Sequence, residues 1–196
     1  MKELSDQIYQ FIYQGISLRT MGLLVGGIVL LLHLWALIKP EATKEFLKKL
    51  PRNQSVGTWV LTVAFILGVV VATSMDLGDF ARLRYIAQIA LPVMFLCLLF
   101  YCNDYLGARS LGIFLLLAAC PILNAAFLQP PATRVLLSGI TYVWILLALF
   151  WVGMPFTMRD QIAWITQSPA RQKLAALAGM VYGAALLICA VAFWGV

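Results

Sequence analysis

The composition of this 196-residue chain excludes a water-soluble globular protein. Hydrophobic residues make up 63% of the sequence and charged residues only 11%, and the mean hydropathy is +0.93. Soluble domains are nearer half apolar and a quarter charged, so these few charges cannot cover the surface of a soluble globule. Intrinsic disorder is also excluded because it requires low hydropathy. The composition therefore predicts a membrane protein.

Six charge-free apolar stretches predict six membrane-spanning helices. About 20 apolar residues cross the roughly 30 Å of hydrocarbon in a bilayer. Barrel strands would alternate polar and apolar residues, whereas residues 111–119 are apolar without interruption. We therefore predict an all-α polytopic protein, with residues 1–196 forming a single membrane domain. Its transmembrane helices are expected at about 20–38, 55–75, 85–103, 110–128, 135–156 and 174–195.

Three further segments are expected to form short amphipathic helices at the membrane interface, at about residues 3–17, 41–50 and 158–167. For the first of these, an N-terminal extension of the first transmembrane helix is an equally good interpretation. The first long apolar run begins only at residue 20 and lacks a small-residue cleavage site. No cleavable signal peptide is therefore expected.

The distribution of Lys and Arg predicts the orientation in the membrane. Six spans place both termini on one side, together with five basic residues, and leave nine on the other. Short loops rich in Lys and Arg remain in the cytoplasm. We therefore expect a multi-pass protein of the cell (inner) membrane with both termini extracytoplasmic. The nine cytoplasmic basic residues are Lys39, Lys44, Lys48, Lys49, Arg52, Arg109, Arg159, Arg171 and Lys173.

The loop between the first two spans is predicted to contact the membrane surface. Pro40 and Pro51 bracket a short basic helix. A basic residue near an anionic leaflet contributes about 1 kcal/mol. The simpler interpretation is that these charges only set topology, which also explains the net charge of +6 without a nucleic-acid partner. The residues expected to contact anionic lipid head groups are Lys44, Lys48, Lys49 and Arg52.

Polar residues inside the spans are few. No Asp, Glu, Lys or Arg lies within the six charge-free stretches, which argues against an ion-coupled pump or a proton relay. His33, Gln88 and Asn124 are candidates for a polar membrane site, the last two close to prolines that interrupt their helices. They could line a solute path, although packing roles are commoner. A single histidine and four cysteines in apolar spans predict neither a metal site nor a cofactor.

Two pairs of glycines predict a close contact between helices. Gly22 and Gly26 are separated by three residues in the first span, as are Gly179 and Gly183 in the last. This spacing lets two helix backbones approach each other. The pattern does not identify the partner helix of either pair.

Two local signals predict helix boundaries on the cytoplasmic side. Thr157 and Asp160 have the spacing of a capping box. Ser168 and Pro169 have the character of an N-cap and the first residue of a helix.

The segment from Asp104 to Arg109 resembles part of the signature of the CDP-alcohol phosphatidyltransferases, D-x-x-D-G-x-x-A-R followed by G-x-x-x-D-x-x-x-D. Asp104, Ala108 and Arg109 match. The resemblance implies a six-span enzyme that acts on lipid head groups through aspartate-bound divalent metals. One remaining carboxylate cannot build such a site. The positions that depart from the signature are Tyr101, Tyr105, Ala118, Ile122 and Ala126.

Asp104 and Arg109 are therefore a candidate site at the cytoplasmic surface, where they could instead pair with each other or cap helix ends. The function that the sequence favours is a non-catalytic accessory or scaffold subunit of a membrane assembly, forming a homo- or hetero-oligomer. A small permease or channel is the alternative, and a membrane-embedded enzyme acting on lipid head groups ranks third. No catalytic residue is predicted.

Overall fold

A computed structural model describes residues 2–194, without the side chain of Lys2, and this part of the chain is helical with no strand. Six of its helical segments are long and apolar enough to cross a membrane, which confirms the number and type of the predicted long elements. The third of these segments joins a 3₁₀ stretch, Gly78–Leu83, to the α-helix that follows it. The helices are α1 (Lys2–Tyr9), α2 (Leu18–Ile38), α3 (Pro40–Lys49), α4 (Gln54–Ser74), α5 (Arg84–Phe100), α6 (Leu106–Ala126), α7 (Arg134–Gly153), α8 (Phe156–Thr166) and α9 (Pro169–Ala192).

Several helices begin earlier than the charge-free stretches do. Helix α6 starts at Leu106 and includes Arg109, and α9 starts at Pro169, directly after Ser168, whose backbone is extended. Ser168 and Pro169 therefore occupy the predicted N-cap and first helical positions. The reason for the offset is that the outermost charge marks the edge of an apolar stretch, whereas a helix continues until its capping residue.

The predicted capping box at Thr157 is wrong. Pro155 precedes α8 with a φ of −64°, so the helix begins at Phe156 and Thr157 already lies in its first turn. The Thr157 hydroxyl donates a hydrogen bond to the Met154 carbonyl at 2.7 Å. Asp160 instead forms an ion pair with Arg159, with Nη2 and Oδ1 2.7 Å apart.

The N-terminal segment is a separate element and not an extension of α2. After α1, residues Gln10–Gln14 form a π-helical turn, and the chain then breaks before Ser17 caps α2 by accepting a hydrogen bond from the Thr20 amide. Helix α1 lies against the end of α4, where the Ser5 hydroxyl contacts that of Thr73 at 2.5 Å and that of Ser74 at 2.9 Å.

The connections gather at two opposite ends of the helices. One end, here called the terminal face, comprises residues 2–17, 75–83, 127–133 and 193–194, and hydrogen bonds such as Trp194 Nε1 to Thr133 Oγ1 join its segments. The other end, the basic face, comprises residues 39–53, 101–105 and 154–168. On the basic face, Gln172 Nε2 donates to the Pro40 carbonyl at 2.7 Å, which ties α9 to α3.

Helices α2 and α9 make the most extensive contact between two helices in the described part of the chain, and glycines of both predicted pairs lie in it. A methyl group on Gly183 would lie 2.7 Å from the backbone nitrogen of Leu30, and one on Gly26 would lie 3.2 Å from the Gly183 carbonyl oxygen. A methyl group on Gly179 would lie 2.1 Å from Cδ2 of His33. The predicted close contact is confirmed at Gly26 and Gly183, which meet each other, whereas Gly22 packs against Trp194 and Ala190 and Gly179 packs against His33.

Helix α5 is the opposite case. None of its residues is buried, and it packs mainly on α4. The principal contacts are Phe95 on Phe65, with ring centroids 4.7 Å apart, and Leu91 beside Gly68. Helix α5 therefore lies at the edge of the bundle.

Candidate functional site

A cluster of polar contacts on the basic face surrounds the phenol of Tyr105. Arg52 Nη2 donates a hydrogen bond to the Tyr105 hydroxyl at 2.7 Å, and Arg159 Nη1 donates to the same oxygen at 3.0 Å. Both guanidiniums also lie over the Tyr105 ring, at 4.8 and 6.0 Å from its centroid. We call these three residues the arginine–tyrosine cluster.

Glycine contacts on the basic face bring the members of this cluster together. A methyl group on Gly107 would lie 2.0 Å from the Leu50 carbonyl oxygen, and one on Gly57 would lie 2.9 Å from the Gly107 nitrogen. The start of α4, and with it Arg52, is therefore packed directly on the start of α6. Tyr105 precedes α6 in the left-handed conformation, with a φ of 59°. That conformation is uncommon for a residue other than glycine, and its cost has to be offset by neighbouring interactions.

The cluster carries more positive than negative charge. Arg159 is paired with Asp160, whereas Arg52 has no carboxylate partner within residues 2–194. The hydrogen bond from Arg52, assisted by the charge of Arg159, lowers the pKa of the Tyr105 phenol. The hydrogen bond and charge of Asp160 raise the pKa of Arg159. The arrangement thus favours an anion, and the guanidiniums offer the planar donors that suit phosphate oxygens.

Asp104 and Arg109 lie next to this cluster but do not pair with each other. Arg109 Nη1 donates to the Cys102 carbonyl at 3.2 Å, so it bonds to backbone just beyond α5. Asp104 is exposed and lines an open cavity of about 440 Å³ with Arg52 and Tyr105. Within residues 2–194 no group of three His, Cys, Asp or Glu side chains could hold a metal ion.

The three lysines predicted to contact lipid lie on or beside the outer surface of α3. Lys48 and Lys49 are exposed and Lys44 is half-buried, while the buried residue of this helix is Thr43. Lys49 makes only a long, exposed ion pair with Glu45, at 3.9 Å. These ammonium groups remain available to partners outside the chain.

The structure does not bring His33, Gln88 and Asn124 together. His33 Nδ1 is 2.7 Å from the Val29 carbonyl of its own helix, and its ring lies against α9. The Asn124 amide donates to the Tyr13 carbonyl on the terminal face. Gln88 of α5 is exposed and lines the groove between α1 and α4. Each residue therefore belongs to a different helix contact.

Sequence reasoning did not identify Tyr105 or Arg159 as candidate site residues, although it had assigned each of them another meaning. Tyr105 occupies the glycine position of the partly matching signature, and Arg159 was counted only as a topology marker. A tyrosine and two distant arginines do not form a sequence motif. The cluster becomes apparent only in the structure, where the packing of Gly107 on Leu50 brings Arg52 close to Tyr105.

Sequence reasoning also missed Arg84, the first residue of α5. Arg84 Nη2 donates to the Met75 carbonyl at 2.8 Å. Its Nε is the one buried side-chain nitrogen or oxygen without a hydrogen-bond partner in the described part of the chain. Such an unpaired buried donor is rare in folded proteins and sets Arg84 apart from the other arginines.

The chain was compared with models of protein families, with curated proteins and with solved structures, and it matches none of them.

Proposed function

We propose that this protein is a six-span protein of the cell (inner) membrane and serves as a non-catalytic accessory or scaffold subunit whose basic face binds anionic lipid. Both termini would then lie outside the cytoplasm, because nine of the 14 basic residues are on the opposite face. The surface helices α3 and α8, which pack on each other, would lie at the cytoplasmic leaflet.

The observation that carries this proposal is the arginine–tyrosine cluster. Two guanidiniums converge on one phenol oxygen, and Arg52 has no internal carboxylate within residues 2–194. A lipid phosphate beside Arg52 would accept charge-assisted hydrogen bonds and would offset the repulsion between the two arginines. Lys48 and Lys49 extend the positive surface along α3.

The polar groups inside the helices support a structural role over a transport role. The buried hydroxyls of Ser110 and Thr141 donate to carbonyls of their own helices. His33 is bonded within α2, and Gln88 and Asn124 lie at separate contacts. A permease would need polar groups in one continuous path, so we rank the scaffold function above it.

Native mass spectrometry of the protein released from mild detergent tests this proposal. The expected result is an oligomer, or a complex with other membrane proteins, that retains phosphatidylglycerol in preference to phosphatidylcholine. A lone monomer with no preference between the two lipids would contradict both parts of the proposal.

Variants locate the lipid in the same experiment. The double substitution Arg52→Gln and Arg159→Gln should abolish the preference for phosphatidylglycerol. The matched control is the double substitution Arg19→Gln and Arg82→Gln, which removes two exposed arginines at the terminal end of the helices. An equal loss in the control would show that the preference reflects net charge and not this cluster.

A further inference from the structure

We infer that the terminal face holds a second lipid site, which binds an amine-bearing phospholipid of the phosphoethanolamine type, with its phosphate on Arg84, its ammonium between Asp6 and Asp76, and an acyl chain between α1 and α4. This site lies at the opposite end of the helices from the arginine–tyrosine cluster and shares no residue with it.

The Arg84 side chain, which lines the polar cavity, points to the phosphate. One side of the guanidinium is fixed by the hydrogen bond to the Met75 carbonyl, while the buried Nε has no acceptor. No ion pair to Arg84 forms within residues 2–194. The guanidinium charge at the cavity therefore has no internal counter-ion within the described part of the chain, and a phosphate group matches the planar donors of a guanidinium best.

Two carboxylates in the same cavity point to the ammonium. The cavity has a volume of about 460 Å³ and is lined by Arg84, Asp6 and Asp76 together with polar residues of α1 and the end of α4. Asp76 Oδ1 accepts from the Gly78 amide, so one of its two carboxylate oxygens is already engaged. A purely anionic head group would be repelled by these carboxylates, and a quaternary ammonium has no N–H to donate. A primary ammonium carries the opposite charge and three donors.

An apolar groove continues from this polar cavity and points to an acyl chain. The groove has a volume of about 660 Å³, and its walls include Leu4 and Ile8 of α1 and Ile66 and Val69 of α4. Arg84 lines both the cavity and the groove, so a polar and an apolar compartment meet at its side chain. This is the shape that an amphiphile requires.

Gln88 occupies the level between the head group and the acyl chain. It lies one turn after Arg84 on α5 and lines the groove. One helical turn is about 5.4 Å, so the Gln88 amide lies deeper than the guanidinium. An amide at this level would donate a hydrogen bond to an ester carbonyl of the lipid.

Lipid binding to the purified full-length protein tests this inference. Native mass spectrometry in a neutral detergent would titrate phosphatidylethanolamine, phosphatidylcholine and phosphatidylglycerol of one acyl composition. The wild type should prefer phosphatidylethanolamine to phosphatidylcholine. Arg84→Gln should weaken phosphatidylethanolamine binding about ten-fold or more, as loss of a hydrogen bond to a charged group predicts. Arg82→Gln, two residues away and exposed, is the matched control and should leave binding unchanged.

Two further variants keep the test decisive if Arg84→Gln does not fold. Asp6→Asn combined with Asp76→Asn should remove the preference for phosphatidylethanolamine over phosphatidylcholine while phosphate binding persists. Ile66→Trp should fill the groove and weaken binding of all three lipids at this site. The inference is overturned if the wild type does not prefer phosphatidylethanolamine, or if neither of these variants changes binding. Inorganic phosphate serves as the competing ligand: if the lipid binds no more tightly than phosphate does, the acyl groove contributes nothing and the lipid assignment is wrong.

Discussion

The contact between α2 and α9 and the edge helix α5 show two ways in which an apolar helix can be held in the same molecule. Between α2 and α9, Gly183 lets its backbone meet the backbone of Leu30, and Gly179 leaves room for the His33 ring. On α5 no residue is buried, and Phe95 and Leu91 rest on α4 through side chains alone. Helix association in a bilayer depends on close packing, because lipid tails are as apolar as the side chains. Hydropathy therefore identifies α5 and α9 alike as long apolar helices, whereas small residues determine which of them packs closely against its neighbour.

The largest expected effect comes from breaking the α2–α9 contact. Gly183→Leu should destabilise the fold by about 3 kcal/mol or more, because the new side chain meets backbone that cannot rotate away. Thermal unfolding in detergent measures this. Gly27→Leu is the matched control, since nothing lies within 4 Å of a methyl group at Gly27, and it should leave the unfolding temperature nearly unchanged. Equal losses in the two variants would refute the assigned contact.

The comparison also shows which parts of the fold the sequence could predict. Charge-free lengths are sufficient to count six long helices, since charges are excluded from hydrocarbon. The helix that packs on each glycine pair could not be predicted, because the same spacing occurs in both helices and carries no information about the partner. The capping box predicted at Thr157 was wrong because α8 begins at Phe156, directly after Pro155.

For the candidate sites the limit lies in tertiary packing. The sequence predicted Asp104 and Arg109 from a partial signature, and the structure places the cluster on their neighbour Tyr105. Arg84 carries the same charge as Arg82 in the sequence, and only the packing of α1 against α4 makes its position different. A positive charge in the sequence indicates the end of the helices at which a residue lies. A binding site also requires that packing holds the charged side chain in place and that no ion pair within the protein neutralises it.

A second effect should arise within the glycine contact itself, between Gly179 and His33. Gly179→Ala should cost about 1–3 kcal/mol of stability, because the methyl group would lie 2.1 Å from the imidazole. Since the conflict is with a side chain, His33→Ala should relieve part of it. In a double-mutant cycle read by thermal unfolding, the two changes together should therefore cost less than their sum. Strict additivity would mean that the two residues do not touch.

The edge helix should respond more weakly to the loss of its largest contact. Phe95→Ala removes a ring that packs on Phe65, and the expected cost is about 1 kcal/mol, below the 3–5 kcal/mol typical of a fully buried phenylalanine. Thermal unfolding measures the loss, and Phe100→Ala, an exposed residue at the end of the same helix, is the control. A cost for Phe95→Ala as large as that of Gly183→Leu would show that α5 is as firmly packed as α9.

The smallest effect on stability is expected outside both regions, at Tyr105, where the contacts are exposed and the measurable change is a titration. Arg52 lowers the pKa of the Tyr105 phenol by donating a hydrogen bond that stabilises the phenolate. Arg52→Gln should therefore raise this pKa toward the ordinary value of 10.0. The unfolding temperature at neutral pH should change little, because the contact that is lost is exposed. Since the folded-state pKa lies below the unfolded one, the stability that this group contributes should increase as the pH rises toward 10. Ultraviolet difference titration against Tyr105→Phe isolates the one phenol, and Arg82→Gln provides the charge-matched control. If both arginine variants shift the pKa equally, the effect is the general field of the protein and Arg52 makes no specific contact with the phenol.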